Sequence, residues 1–247
     1  MNFSIFRFDS IDSTNVEALK QARLGADEGV CIVARQQTAG RGRQGRSWTS
    51  PPDAGLYLSI ILRPKLESRY LPLITLAAAV AAFDTLAELE IEPDIKWPND
   101  ILVNERKICG ILAETVDTNE GLAVVVGIGI NLTSASFPPD VAETATSVYE
   151  TCGQTISFSD LEGSLLDRLG LWYGRLCDHA GPADILEEWT KRSSYATGKE
   201  VRATIMNTII SGTTDGLESN GALRIVTADG LLHVIHAGDV EKLRRAE

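Results

Sequence analysis

Between residues 94 and 132 the chain carries four strand-like runs, 94–97, 101–103, 107–114 and 122–132, separated only by tight turns at Pro98 and at Asn104-Glu105-Arg106. A parallel connection needs a dozen or more residues to cross over, so runs joined this closely pair antiparallel. The last run contains Val124-Val-Val-Gly-Ile-Gly-Ile-Asn131, a continuous apolar strand whose period of two puts Gly127, Gly129 and Asn131 on one face. Two missing side chains leave a slot there. It suits a flat ring, with Asn131 supplying an amide at its end, or close packing of another backbone, and the residues leave both readings open.

The flanking segments alternate between helix and strand signals. Residues 3–8 read as a strand, after which Asp12, Ser13 and Thr14 offer capping side chains to a helix running to about residue 23. Residues 30–36 read as a strand entering a Gly/Arg loop, 55–63 as a buried strand and 70–90 as a long helix. Residues 71–89 are Ala-rich but carry Asp84 and Glu88, which reads as a packed helix and not a membrane span. Helical periodicity returns over 157–176, with Ser159 or Asp160 at its start, and over 182–191. Beyond Gly198 short β-like runs follow at 201–205, 208–214, 217–219, 222–227 and 230–236, broken by Gly and Asn turn signals. The expected fold is α+β: a mixed, mainly antiparallel sheet with helices over residues 1–193, and a small all-β barrel over 194–247.

Hydrophobic residues make up 44% of the 247, and charged residues 23%, ordinary values for a globular chain with a proper core. The formal charge of −11 counts against a broad nucleic-acid surface. In so acidic a chain, the clustering of Arg35, Arg41, Arg43 and Arg46 marks a place where something negative docks. Cys31, Cys109, Cys152 and Cys177 are scattered without metal-ligand spacing, which fits buried thiols in a reducing compartment. The first residues have no secretory-signal pattern, and together these features predict a cytoplasmic protein. His179, His233 and His236 show no metal spacing and are given no catalytic role.

Three further segments carry residues suited to chemistry. In Gln37-Thr-Ala-Gly-Arg-Gly-Arg-Gln-Gly-Arg-Ser-Trp48, glycines let the backbone approach a ligand while guanidiniums pair with carboxylate or phosphate. RGG-like tracts repeat within disordered basic segments, whereas this one occurs once, after a strand, and no Walker loop is present. In Lys96-Trp-Pro-Asn-Asp100 the strand ends at Trp97-Pro98, exposing Asn99 and Asp100 to a ligand or magnesium, although a plain turn reads equally well. Lys107 opens the next strand, pointing into a pocket or snorkelling to water. Ser13-Thr14-Asn15 at a helix start are either caps or ligand contacts.

Taken in order, Ser13-Thr14-Asn15, the Gln37 to Trp48 loop, Lys96 to Asp100, Arg106-Lys107 with Gly110-Ile-Leu, and Gly127-Ile-Gly-Ile-Asn131 resemble the biotin protein ligase family over residues 1–193. The tail ending in Ala237-Gly-Asp-Val240 is similar to that family's SH3-like C-terminal domain. The resemblance implies a class II aminoacyl-tRNA synthetase/biotin synthetase-like catalytic region that makes biotinyl-AMP from biotin and ATP with Mg2+. The biotinyl group then passes to a lysine of a biotin carboxyl carrier protein of acetyl-CoA carboxylase or a related carboxylase. It implies biotin contacts from Ser13, Thr14, Asn15, Gln37, Arg41, Gly42, Arg43, Lys107 and Gly110. ATP or adenylate contacts fall to Arg41, Arg43, Arg46, Trp48, Lys96, Asn99, Lys107 and Asn131. Arg43, Lys107 and Asp100 take the catalytic roles, Asp100 by steering or deprotonating the incoming lysine, and no protein metal ligand is assigned. The Gly-rich loop is expected to close over the adenylate, with residues 40–47 disordered without ligand. The family contains monomers and homodimers, and its bifunctional members carry a helix-turn-helix segment before the catalytic region. The chain opens directly on that region, so a repressor role is not expected. A lipoate or octanoate ligase and a non-enzymatic nucleic-acid-binding module are the competing readings.

Overall fold

The structure, a computed structural model, describes residues 1–138, 141–205, 208–236 and 239–242. Its larger sheet has seven strands: β1 (Ser4–Phe8), β2 (Val30–Ala34), β3 (Gly55–Leu62), β4 (Asp94–Lys96), β5 (Asp100–Val103), β6 (Arg106–Thr118) and β7 (Gly121–Asn131), in the spatial order β1-β2-β3-β7-β6-β5-β4. The runs from β4 to β7 pair antiparallel as their short turns require. Asn104 and Glu105 both take positive φ, the two-residue hairpin conformation whose twist matches the strands. The parallel β1–β2 pair makes the sheet mixed, as expected, and helix α1 (Thr14–Arg23) supplies its crossover.

The two faces of this sheet are covered unequally. Leu56, Leu58 and Ile60 of β3 join Val126, Ile128 and Ile130 of β7 under α2 (Leu73–Ala87), α4 (Phe158–Leu176) and α5 (Gly181–Lys191). On the opposite face Ile61 and Val125 join a smaller cluster with Ile32, Val116 and Ala123 beneath Ala18, Leu19 and Ala22 of α1. Covered on both sides, β3 is buried along its whole length. Helix α1 covers this face as far as Gly127 of β7, against which Asn15 lies, and leaves Gly129 to the loop residue Trp48.

Several boundaries differ from expectation. The long helix is α2 alone, preceded by a 3-10 turn at Ser68–Tyr70. The stretch Ser68–Ala87 is apolar and long enough to cross a membrane, yet most of it is buried in the core. Helix α4 is capped by Ser157, not Ser159 or Asp160: its hydroxyl accepts from the Asp160 amide at 3.4 Å. A short helix, α3 (Val148–Cys152), has too few turns to show periodicity in sequence.

The second sheet contains β8 (Thr197–Ile205), β9 (Thr208–Leu217), β10 (Leu223–Thr227), β11 (Leu232–Ile235) and β12 (Asp239–Lys242), all antiparallel. Of the run expected at 217–219 only Leu217 is strand, the last residue of β9, and Ala237-Gly238 of the motif noted above lie outside the described residues. This sheet is fastened to the first through the buried Trp97 indole N–H, which donates to the Gly221 carbonyl at 2.9 Å. Changing Trp97 to Phe keeps the ring's burial but strands that carbonyl. Guanidinium unfolding should show a loss of about 1–3 kcal/mol, the usual cost of a buried unsatisfied group.

Only two of the thiols are deeply buried. Burial pushes Cys31 and Cys109 up to about 12, whereas Cys152 is half-buried and Cys177 is exposed at the end of α4. Alkylation of native protein at neutral pH should therefore spare Cys31 and Cys109 and label both after denaturation, read by peptide mass spectrometry.

Candidate active site

The open half of the sheet face forms the floor of a cleft of about 750 Å³, the open solvent at its mouth included. Gly110 of β6 and Gly129 of β7 face each other in register, and the Trp48 indole lies across the pair. A Cβ on Gly129 would sit 2.6 Å from the ring, so glycine is what lets the ring lie flat. The slot read from the sequence is divided between two of the chain's own side chains, the Trp48 ring over Gly129 and the Asn15 amide over Gly127, and holds neither another backbone nor a space running on to Asn131. The Lys107 ammonium stands 5.2 Å from the centre of that ring and 2.6 Å from Asp100 Oδ1.

One wall is the first turn of α1. Ser13 is the N-cap residue, yet its hydroxyl makes no capping bond, and Thr14 and Asn15 are buried beside it. The capping reading is therefore not realised. Gln37 Oε1 accepts from the Thr14 amide at 2.8 Å, while Gln37 Nε2 donates to Ser50 Oγ at 2.8 Å. The Asn15 side chain lies where a Cβ on Gly127 would fall, and Asn15 Nδ2 donates to Leu112 O at 3.2 Å and to Glu114 Oε2 at 2.9 Å. Beneath it the Ser59 hydroxyl lies 2.6 Å from Asn15 Oδ1 and 2.8 Å from Thr14 Oγ1.

The Gly/Arg loop forms the roof. Residues 40–47, expected to be disordered without ligand, follow a defined path: the Gly42 amide donates to Arg46 O at 2.7 Å and the Trp48 amide to Gly40 O at 2.8 Å. Arg41 pairs with Glu114 at 2.9 Å, and Arg43 Nη1 donates to Asn99 Oδ1 at 3.1 Å. Asn99 is itself locked, since its Nδ2 donates to Ile111 O at 2.7 Å.

Ser13, Thr14, Asn15, Gln37, Arg41, Gly42, Arg43, Arg46, Trp48, Asn99, Asp100, Lys107 and Gly110 thus all line one cleft. Asn131 lines a second cavity instead, which meets the first at Ser47, Trp48 and Lys107, and its amide donates to Thr146 O at 3.0 Å. Lys96 ends β4 opposite Asp100 and lines neither cavity. Arg35 does not join the other arginines; it pairs with Asp53 at 2.6 Å and with Asp9 at 3.3 Å. Ser59 and Glu114 were missed. Ser59 had a legible signal, a lone serine in an otherwise apolar and aromatic strand, whereas Glu114 resembled any polar residue of an alternating strand. The buried Trp48 indole N–H has no acceptor among the described residues.

Fold and cleft define an α+β protein with a polar cleft on one face of its larger sheet, lined by Arg41, Arg43, Arg46 and Lys107. The model of the biotin/lipoate A/B protein ligase family matches residues 7–131, and that of the biotin protein ligase C terminal domain matches residues 197–243. The chain belongs to the biotin/lipoate A/B protein ligase family. It is 35% identical over 238 residues to the biotin--[acetyl-CoA-carboxylase] ligase of Paracoccus denitrificans, covering 93% of this chain and 96% of that one. It is also 35% identical over 240 residues to the bifunctional ligase/repressor BirA of Bacillus subtilis, covering 94% of this chain and 72% of that one. Among solved structures, the biotin protein ligase from Aquifex aeolicus in complex with biotin and ATP superposes with a TM-score of 0.84 at 28% identity, covering 98% of this chain and 99% of that one.

Proposed function

We propose that the chain is a biotin protein ligase that activates biotin with ATP and transfers it to a lysine of a biotin carboxyl carrier protein, in the cytoplasm. The observation that carries this reading is the meeting of two cavities at Lys107 and Trp48, beneath a loop presenting Arg41, Arg43 and Arg46. Biotin would occupy the first cavity against Ser13, Thr14, Asn15, Gln37 and Gly110, and ATP the second against Asn131; the ATP contacts assigned to Asn99, which lines the first cavity, and to Lys96, which lines neither, would need the nucleotide to reach past Lys107. A catalytic region over 1–193 and a C-terminal domain over 194–247 belong to the same reading.

Two anions must come together, and Arg43 and Lys107 offset their repulsion in a partly dry site. A biotin carboxylate oxygen attacks the α-phosphorus, the bond to pyrophosphate breaks, and a mixed anhydride remains. The carrier's lysine amine then attacks the acyl carbon, AMP leaves with the bonding pair, and the amine proton is lost. No enzyme nucleophile is required, so rate comes from positioning and fixed charge. Asp100, which pairs with Lys107, is assigned to the incoming lysine. Magnesium enters as part of the ATP substrate; among the described residues no group of three or more His, Cys, Asp or Glu side chains is gathered to hold one.

Purified protein should catalyse pyrophosphate exchange into ATP when biotin is added and not when lipoate is added. Exchange with lipoate alone would move the chain to the lipoate branch of the family, and exchange with neither would end the ligase reading.

A further inference from the structure

We propose that Glu114 is a positioning residue: a latch that ties the Gly/Arg loop to the sheet and sets how long the activated biotin is held. The inference rests on the ligase reading above. Glu114 stands on β6 opposite Val125, on the same side of the strand as Gly110 and Leu112, just beyond the cleft lining. Its two oxygens are divided between two elements. Oε1 accepts from Arg41 Nη2 in the loop at 2.9 Å, and Oε2 accepts from Asn15 Nδ2 in the first turn of α1 at 2.9 Å. One carboxylate thereby joins roof to wall across the strand that forms the floor.

The pair is half open to water, with 46% of the Arg41 side chain and 22% of the Glu114 side chain exposed, so its strength is modest and salt-sensitive. That suits a latch. It biases the loop toward the sheet without preventing it from lifting, and it contributes little to global stability because both partners can be rehydrated. Bonds elsewhere hold the loop's shape, such as Gly42 N–H to Arg46 O, so losing the latch would let a still-folded hairpin swing.

Glu114→Gln isolates this role, because an amide oxygen still accepts from Asn15 while the charge that holds Arg41 is gone. Two readouts are made on the full chain. Trypsin cleavage after Arg41, Arg43 and Arg46, followed without ligands, should accelerate about two- to fivefold in the variant, the shift expected from losing one half-exposed ion pair. Release of biotinyl-AMP into solution should rise by a similar factor, and by more than biotin-dependent exchange falls, with the melting temperature held. Glu114→Ala should add a weaker biotin affinity through the loss of Asn15's partner. Cleavage and release at wild-type rates in Glu114→Gln overturn the latch. A wild-type protein that makes no biotinyl-AMP overturns the ligase reading, and retention with it, whatever trypsin shows.

Discussion

Replacing Arg43 with alanine is expected to lower biotin-dependent ATP/pyrophosphate exchange by about 10²- to 10³-fold, the usual effect of removing one preorganised group that stabilises transition-state charge. The guanidinium lines the cleft and is aimed by Asn99, whose amide is fixed to the Ile111 carbonyl at 2.7 Å. Charge on the phosphoryl oxygens grows as the carboxylate attacks, so the loss should fall on kcat more than on the biotin KM. Asn99→Ala should reproduce a smaller part of the loss, since it leaves the charge in place but unaimed. Equal effects on KM and kcat in Arg43→Ala would instead assign the residue to ground-state binding.

The second large effect is expected from adding a single methyl group. In Gly127→Ala the new Cβ would lie 2.0 Å from Asn15 Oδ1 and 2.8 Å from its Cγ, closer than real contacts allow. Asn15 is only 4% exposed and is held by Ser59, Leu112 and Glu114, so it has no room to retreat. The wall must shift, which costs about 1–3 kcal/mol of stability by overpacking. If the same strain falls on the bound state, biotin affinity measured by calorimetry drops by about 10- to 100-fold. An unchanged dissociation constant would mean that Thr14 and Asn15 do not touch the ligand.

Features governed by short-range rules are legible in the sequence. The antiparallel run from β4 to β7 followed from turn length, and the Gly127/Gly129 slot from strand period. The loop and the Trp97-Pro98 turn were visible because glycine and proline have local conformational consequences. What stayed hidden depends on partners distant in sequence. Nothing local tells that β1 lies parallel to β2, since pairing across a helix is settled by the sheet as a whole. Arg35 and Arg41 look alike in sequence, but Asp53 claims one and Glu114 the other. Glu114 itself stands on a strand whose alternation suggests a solvent-facing side chain, and its two partners, Asn15 and Arg41, come from segments distant in sequence.

The single indole between the two cavities has a thermodynamic consequence. Trp48 rests on two glycines and borders both spaces, so a ligand that moves or steadies the ring in one cavity alters the fit of the other. The two occupants are then energetically coupled through one side chain. Because the binding cycle must close, any factor by which the first tightens the second is the factor by which the second tightens the first.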